Sequence, residues 1–288
     1  MENTPHDLQV NLRPVCPTTV NADMDARTRT ETVPAEALQA VPLLQKRLGD
    51  ALIAVYLHGS GVGEGLRTHS DVDVLAVVDE ALTASARACL TADLLAISGH
   101  YPFDKERRRP LEVVIFQRAV LTCMPYPARA EFVYGEWLRE TLERGAVSEA
   151  EASPEYTLLL AQAREEAISL IGPKATEFIP EVPHSTIRRA IGDLLPELLR
   201  SLKGDERNVL LTLARMWLTV RTGQFVSKSA AANWALTQLS GDEAAVVTIA
   251  RDAYLGNGDD DLNIRGTEVS YAAQVIKERI LMALRELK

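Results

Sequence analysis

Two aspartates stand one residue apart in the segment SDVDVLAVVD, residues 70–79, where polar residues give way to an apolar run. Successive side chains of a β-strand point to opposite faces, so Asp71 and Asp73 would share one face roughly 7 Å apart, with Val72 and Val74 on the other. Carboxylates spaced in this way can share hard cations such as Mg²⁺, which prefer oxygen ligands and accompany phosphates. The same pattern also fits two solvated residues at a strand end, so both interpretations stay open.

The loop before these aspartates is rich in glycine, which raises the possibility of a phosphate-binding loop. A dinucleotide fingerprint requires G-x-G-x-x-G, but Glu64 or Leu66 occupies the third glycine position in either register. A P-loop requires Gly-Lys followed by Ser or Thr, and the segment has no Gly-Lys pair. The glycines alone therefore identify no ligand.

Three further features surround the aspartates. Gly59 and Ser60 close the preceding apolar run, Ser70 directly precedes Asp71, and Glu112 opens the next predicted strand in PLEVVIF. This combination resembles the signature of the nucleotidyltransferase superfamily, which has Gly-Ser, then a hydrophobic residue with Asp-x-Asp, then a third carboxylate on a neighbouring strand. The resemblance implies a triphosphate held at Gly-Ser, two Mg²⁺ ions at the aspartates, and a third carboxylate that joins the metals or accepts the proton of an attacking hydroxyl.

The elements that must position these residues alternate between helix and strand in the first half of the chain. Apolar residues recur at helical spacing in two segments, and short apolar runs indicate three strands. A further helix begins with Ser153 as N-cap and Pro154 as its first residue, and we expect it to end at Gly172-Pro173. In chain order these predicted elements are helix 34–50, strand 51–59, strand 70–79, helix 81–99, strand 109–116 and helix 153–173. Such alternation predicts an α/β layer.

From about residue 183 the pattern changes to helices alone. Five segments show helical period with polar starts, and several stop at or near glycine: 185–202, 205–223, 229–240, 242–256 and 268–288. These segments predict an all-helical second domain. We therefore expect a poorly ordered extension over residues 1–32, an α/β domain over 33–181, and an α-helical domain over 182–288 that closes the active-site cleft.

A closer resemblance appears in successive blocks of the chain. LHGSGVGEGLRTHSDVDVL, LEV, YPARAEFVYGEWLRETLERG, GDERNVLLTLARMWLTVRTG and ARDAYLG are similar to the aminoglycoside (3'')(9) adenylyltransferases, which modify streptomycin and spectinomycin. The similarity runs over residues 35–256. It implies the nucleotidyltransferase fold, an α/β domain like that of DNA polymerase beta, followed by an all-α helical bundle.

The resemblance implies a role for each position that matches the family's motifs. The implied metal ligands are Asp71, Asp73 and Glu112, and Glu112 is also the implied general base. The implied nucleotide contacts are Ser60, Ser70, Arg215, Lys228 and Tyr254. The implied drug contacts are Trp137 and Asp205, the pair that family members need for streptomycin. An indole offers a flat surface to a cation, and a carboxylate can bind a guanidinium through two hydrogen bonds.

Each implied residue outside the aspartate motif also has a purely structural explanation. Asp205 stands where an N-cap belongs, and Trp137 lies in an amphipathic segment that could bury it in a core. Arg215 lies on a helix beside its apolar stripe and could be a solvated flanking residue. Lys228 could be a surface lysine beside a helix cap, and Tyr254 a core tyrosine before the glycine that ends its helix.

One segment departs from the family pattern. Streptomycin-modifying relatives often carry tryptophans just before GDERN, whereas this chain has LLRSLK, residues 198–203, without an aromatic residue. The departure bears on drug affinity and on the balance between the two drugs.

Composition narrows the classes of partner. The 288 residues are 47% apolar and 25% charged, as in globular proteins, and the formal net charge is -9 with an isoelectric point of about 5.2. An acidic chain does not suit a nucleic-acid backbone, whereas a cationic substrate suits it well. Cys16, Cys89 and Cys123 stand singly, which indicates reduced thiols. No apolar run approaches the ~18 residues of a membrane span, so we expect a cytoplasmic monomer without nucleic-acid or membrane partners.

Together these features predict a Mg²⁺-dependent enzyme with ATP as co-substrate. It would transfer AMP to a hydroxyl of streptomycin and spectinomycin, aminoglycoside and aminocyclitol antibiotics, and release pyrophosphate. The alternatives are a nucleotidyltransferase that modifies another antibiotic or a protein hydroxyl, and a non-catalytic regulatory module of the same fold.

Overall fold

The computed structural model describes residues 33–62, 66, 70–102 and 104–286. The chain from Pro34 onward forms one compact unit. The extension predicted over residues 1–32 lies outside the described residues.

A five-stranded mixed sheet forms the centre of the first half. The strands of the structure, in chain order, are β1 Leu52–His58, β2 Val72–Val78, β3 Leu111–Gln117, β4 Arg129–Ala130, β5 Phe132–Tyr134, β6 Glu151–Ala152 and β7 Ile168–Ile171. The order in the main sheet is β5-β3-β2-β1-β7, and β4 pairs with β6 in a separate two-stranded ribbon. Strands β2 and β3 are parallel, and the other pairs are antiparallel. The three predicted strands are confirmed as the middle of this sheet.

Helices cover the two faces of the sheet. The helices of this half are α1 Ala35–Leu48, α2 Ala84–Ile97, α3 Arg118–Cys123, α4 Arg139–Glu143, α5 Pro154–Glu166 and α6 Ala175–Phe178. Helix α1 packs against α2, β1 and β2. On the other face, side chains of α5 and α6 bury the alternate residues of β1, β2 and β3, among them Tyr56, Leu75 and Phe116. The expected α/β layer is thus confirmed.

The prediction of one helix over residues 153–173 is wrong in its last part. The start is as predicted, because the Ser153 side chain accepts a hydrogen bond from the Glu155 N–H (3.2 Å) and Pro154 is the first helical residue. The helix ends at Glu166, and residues 168–171 form β7, antiparallel to β1. Strand β1 would otherwise leave an unpaired edge, and Ile168 and Ile171 are β-branched residues that suit a strand.

The second half is helical, as expected. Its helices are α7 His184–Arg200, α8 Glu206–Thr222, α9 Lys228–Leu236, α10 Gly241–Leu255 and α11 Gly266–Glu286, and its described residues include no strand. Helix α8 is the central element and packs against the other four. Gly223 and Gly256 end α8 and α10 in the left-handed conformation that glycine adopts without a steric penalty. No helix within the described ranges is long and apolar enough to cross a membrane.

Helix α5 connects the two halves. Leu160 and Ala163 pack on the sheet, whereas Ala161 packs into the core of the helical half beside Ile187. Because one helix contributes to both cores, the described halves form a continuous body. The domain boundary near residue 181 stays a prediction.

Candidate active site

A cavity of about 1760 Å³ separates the sheet from the helices of the second half. All ten residues predicted for the site line it: Ser60, Ser70, Asp71, Asp73, Glu112, Trp137, Asp205, Arg215, Lys228 and Tyr254. Pockets that hold one small molecule typically measure about 300–1000 Å³. The cavity therefore has room for two ligands side by side.

The sheet contributes a row of three ionisable residues to this cavity. In the antiparallel pair of β1 and β2, His58 lies opposite Asp73, and in the parallel pair of β2 and β3, Asp73 lies beside Glu112. Residues paired in this way project from the same face of a sheet. The three side chains therefore form one row, with Asp71 one alternation before Asp73, as the spacing predicts.

Burial and mutual repulsion disfavour the ionised forms of the carboxylates in and beside this row. Burial, and after it the neighbouring Asp71, raises the pKa of Asp73 to about 7. Burial also raises the pKa of Asp71, and burial together with Asp73 holds the pKa of Glu112 well above its usual range. A bound cation would relieve both the desolvation and the repulsion.

The carboxylates of Asp71, Asp73 and Glu112 fit Mg²⁺ and form what we call the carboxylate wall of the cavity. Carboxylate oxygens are the ligands that Mg²⁺ prefers, and it usually takes one or two of them and completes its shell with water and substrate phosphates. Within the described ranges no three carboxylate, imidazole or thiol groups form a preformed metal site, so Asp71, Asp73 and Glu112 as a joint ligand set stay a prediction.

The Gly59-Ser60 backbone wraps around the Asp73 carboxylate. These residues form a 3-10 turn, Gly59–Gly61, directly after β1, and the Ser60 N–H donates a hydrogen bond to Asp73. The Gly59 N–H donates to Glu166 Oε1 at 3.1 Å. Gly59 has a φ of +66°, and a Cβ atom placed on it would lie 2.1 Å from Asp73 Oδ2. Only glycine fits this position without displacing the carboxylate.

Ser70 is held at the start of β2 by the segment that leads into β3. Arg109 Nη1 donates to the Ser70 carbonyl at 3.2 Å, and the Arg109 N–H donates to Glu36 Oε1 at 2.9 Å. The Val72 N–H donates to the Pro110 carbonyl at 2.8 Å. These bonds bring Ser70 to the cavity wall beside the aspartates.

Arg215 brings a half-buried positive charge to the cavity from α8. Its Nη2 donates to Gln162 Oε1 at 2.9 Å, and Gln162 Nε2 donates in turn to Glu166 Oε1 at 2.6 Å. Burial lowers the pKa of Arg215, whereas Glu166 and Asp73 are close enough to oppose that shift. Arg215 therefore lines the cavity and is bonded to Gln162, and its contact with a nucleotide stays a prediction.

Lys228 supplies a second half-buried cation. It is the first residue of α9, and its Nζ donates to Asn208 Oδ1 and lies 5.9 Å from the centroid of the Tyr254 ring. Burial, and after it Arg215, lowers the pKa of Lys228 to about 8. Lys228 is thus no surface lysine. Tyr254 packs partly against the helical core and also lines the cavity.

Trp137 and Asp205 line the same cavity. The Trp137 side chain is 61% exposed, so it is not a core residue. Asp205 occupies the N-cap position of α8, but its side chain makes no capping hydrogen bond. Its Oδ2 accepts a hydrogen bond from Asn208 Nδ2 at 2.9 Å instead. Both side chains are therefore placed to contact a ligand.

Three supporting residues of the site were missed at the sequence level. Gln162 and Glu166 connect α5 to Arg215 and to Gly59, and Asn208 connects Asp205 to Lys228. The signal for the first two was a pair of polar residues at i, i+4 spacing in a helix that also carries other charged residues, so the signal was weak. Asn208 stands in the GDERN block, and only the fold reveals its position between the two partners.

Comparison with known proteins finds similarity over most of the chain. Residues 177–279 match the protein family described as aminoglycoside adenylyltransferase, C-terminal domain. The chain is 42% identical over 252 residues to a spectinomycin 9-adenylyltransferase from Staphylococcus aureus, covering 88% of this chain and 96% of that protein. It is 35% identical over 251 residues to an aminoglycoside (3'')(9) adenylyltransferase from Escherichia coli, covering 86% and 95%. A crystal structure of a spectinomycin adenyltransferase from Enterococcus faecalis with ATP and spectinomycin superposes with a TM-score of 0.79 at 32% identity, over 85% of this chain and 98% of that one.

Proposed function

Because the chain belongs to the aminoglycoside adenylyltransferase family, we propose that it transfers AMP from ATP to a hydroxyl of spectinomycin and of streptomycin, releasing pyrophosphate. One observation carries the proposal: a single cavity has a wall of half-buried carboxylates on the sheet and two half-buried cations on the helices. The carboxylates suit metal ions, and the cations suit the phosphates that metal ions accompany.

The carboxylate wall would hold the metal ions. Asp71 and Asp73 would bind two Mg²⁺ ions, with Glu112 as the third carboxylate beside them. Bound Mg²⁺ would neutralise charge on the triphosphate and on the leaving pyrophosphate. The Ser60 N–H already fixes one of the carboxylates, so the wall is shaped before a ligand arrives.

Residues from both halves would hold the nucleotide. Ser60 and Ser70 line the cavity and would contact the triphosphate, and Arg215 and Lys228 would bind its phosphate oxygens from the helices. Tyr254 packs beside Lys228 and would support the nucleotide. A triphosphate would satisfy both cations, which burial now disfavours.

Glu112 is our candidate for the general base. It would accept the proton of the drug hydroxyl as the hydroxyl oxygen attacks the α-phosphorus and pyrophosphate leaves. A base works best when its pKa lies near the working pH, and burial shifts the pKa of Glu112 upward from the usual carboxylate range.

Trp137 and Asp205 would recognise streptomycin, which carries guanidinium groups. The exposed indole offers a cation–π surface, and the Asp205 carboxylate can accept two hydrogen bonds from a guanidinium. We expect Trp137→Ala and Asp205→Ala to weaken streptomycin turnover selectively, with spectinomycin as the internal control. Equal losses for both drugs would assign these residues a structural role only.

Pyrophosphate release tests the proposed reaction. The protein would be incubated with Mg²⁺, labelled ATP and each drug, and we expect pyrophosphate and an AMP-labelled product with spectinomycin and with streptomycin. Release with another antibiotic or with a protein substrate alone would favour a different target for the same chemistry. No release with either drug would refute the proposal.

We further propose that ATP binds before the drug, because the phosphate ligands come from both halves of the chain and would order the cavity. Calorimetric titration of drug should therefore give tighter binding with MgATP present than without it. Equal affinities would exclude this order.

We also propose that the protein acts as a monomer. All ten proposed ligands come from one chain and line one cavity. Light scattering during gel filtration would test this, and a stable dimer at assay concentrations would contradict it.

A further inference from the structure

A second exposed aromatic side chain lies in the cavity beside the helical turn of Trp137. Three aromatic side chains are largely exposed in the described part of the chain: Tyr101 at 62%, Trp137 at 61% and Tyr271 at 56%. Two of them, Tyr101 and Trp137, line the cavity, whereas Tyr271 does not. Exposed aromatic rings inside a cavity offer apolar area and a π surface to a ligand.

One carboxylate, that of Glu136, links the chain segments that carry the two aromatic residues. Glu136 precedes Trp137 in a 3-10 turn, and its Oε1 accepts hydrogen bonds from Arg139 Nε at 2.5 Å and from the Tyr101 N–H at 3.4 Å. Its Oε2 accepts from Ser98 Oγ at 3.4 Å. The backbone at Tyr101 and the turn that carries Trp137 therefore share one partner, and both residues line the cavity.

The Tyr101 loop is also fixed from its other side. The buried Asp104 accepts hydrogen bonds from the backbone N–H groups of His100, Glu106 and Arg108, at 3.2, 2.9 and 3.1 Å. These bonds hold the backbone near Tyr101, which lowers the entropic cost of binding a ligand at this position.

The charges around these rings favour a cationic ligand. Three carboxylates line the cavity on the turn and helix that carry Trp137, and they pair with two arginines, which leaves one net negative charge: Glu136, Glu140 and Glu143 with Arg139 and Arg144. The two half-buried cations that suit phosphates, Arg215 and Lys228, lie near Asp73 instead. The aromatic part of the cavity is therefore suited to the drug and not to the nucleotide.

Resting on the proposed function, we propose that Tyr101 is a second drug-contacting residue, which together with Trp137 forms an aromatic wall for a guanidinium group of streptomycin. This wall would compensate for the segment 198–203, which has no aromatic residue. Cation–π contacts with both rings would hold the guanidinium, and the nearby carboxylates would attract it.

Steady-state kinetics of Tyr101→Ala test the inference. We expect the KM for streptomycin to rise about 3- to 30-fold, the range of one cation–π contact, with the KM for ATP and the turnover of spectinomycin nearly unchanged. Spectinomycin has no guanidinium group. Tyr101→Phe should keep the KM near that of the unaltered protein, because it retains the ring. Tyr271→Ala is the matched control, since it removes an exposed tyrosine outside the cavity.

Each outcome decides one question. An unchanged streptomycin KM in Tyr101→Ala, or an equal rise for streptomycin, spectinomycin and ATP, would overturn the aromatic wall and leave the proposed function standing. Turnover of spectinomycin without streptomycin by the unaltered protein would also overturn it. Failure of the unaltered protein to release pyrophosphate with either drug would remove the proposed function, and the inference with it.

Discussion

Gly59→Ala tests the proposed Mg²⁺ site, because the added Cβ atom would collide with the Asp73 carboxylate. A Cβ atom on Gly59 would lie 2.1 Å from Asp73 Oδ2 and 3.0 Å from its Cγ, whereas ordinary van der Waals contact begins near 3.4 Å. The backbone at Gly59 cannot retreat freely, because its N–H is bonded to Glu166 and the next N–H is bonded to Asp73. The carboxylate must therefore move.

The size of the effect follows from these distances. Relief of the collision requires a displacement of more than 1 Å, and a 1 Å misplacement in an active site can cost about 10²-fold in rate. We expect kcat/KM to fall by about that factor, with a higher Mg²⁺ requirement. In addition, alanine at a φ of +66° strains the backbone by about 1–2 kcal/mol, which lowers stability but not activity in itself.

Gly145→Ala separates the two effects. Gly145 has a φ of +92°, and nothing lies within 4 Å of a Cβ atom placed there, so this variant has backbone strain without a collision. Pyrophosphate release at several Mg²⁺ concentrations and thermal unfolding would be measured for both variants. We expect both to melt a few degrees lower and only Gly59→Ala to lose activity. If Gly59→Ala keeps its rate to within threefold, or Gly145→Ala loses as much, the reasoning is refuted.

Three further predictions concern the ionisable row. Glu112→Gln should keep ATP binding, measured by calorimetry, and lose turnover by about 10²- to 10⁴-fold, the usual contribution of a general base; near-normal rates would remove Glu112 from that role. Burial lowers the pKa of His58 to about 4 from 6.5. Between pH 6.5 and pH 4 only the unfolded chain gains this proton, so the free energy of unfolding should fall by about 3 kcal/mol over that interval. Urea unfolding of His58→Phe, subtracted from that of the unaltered protein, should show this loss, and a difference independent of pH would contradict it. Burial and Asp71 raise the pKa of Asp73 to about 7, so a proton on Asp73 competes with the cation. The Mg²⁺ concentration for half-maximal rate should therefore rise below pH 7, and chelation of Mg²⁺ should abolish turnover. A Mg²⁺ requirement that is flat from pH 6 to 8 would argue against this competition.

Periodicity in the sequence was sufficient to predict the central elements. The apolar runs before Gly59 and after Asp71 are buried strands in the structure, and alternation alone placed the two aspartates on one face. The five helices of the second half were predicted because each has a continuous apolar stripe and a polar start. These signals lie within about 20 residues of chain, so they can be read without knowledge of the fold.

Long-range contacts determine the parts of the structure that local sequence patterns did not predict. Residues 168–171 are only half-buried and show no alternation, and they form a strand because β1 offers hydrogen-bond partners more than 100 residues earlier. The parallel pairing that puts Glu112 beside Asp73 depends on the order of the strands, which local patterns do not encode. The bond between Gln162 and Arg215 crosses 53 residues and joins the two halves of the chain, and nothing near either residue predicts it.

The distribution of charge gives a physical reason for the nucleotide to arrive together with its cations. Half-buried carboxylates on the sheet share the cavity with half-buried Arg215 and Lys228 on the helices, and the pKa of each group is shifted toward its neutral form. A triphosphate alone would satisfy the cations but repel the carboxylates, and cations alone would do the reverse. ATP with two Mg²⁺ ions has a net charge near zero, and it would offer cations to the carboxylates and phosphate oxygens to Arg215 and Lys228. Around Trp137, three glutamates pair with two arginines, and the one net negative charge left there would favour a cationic drug.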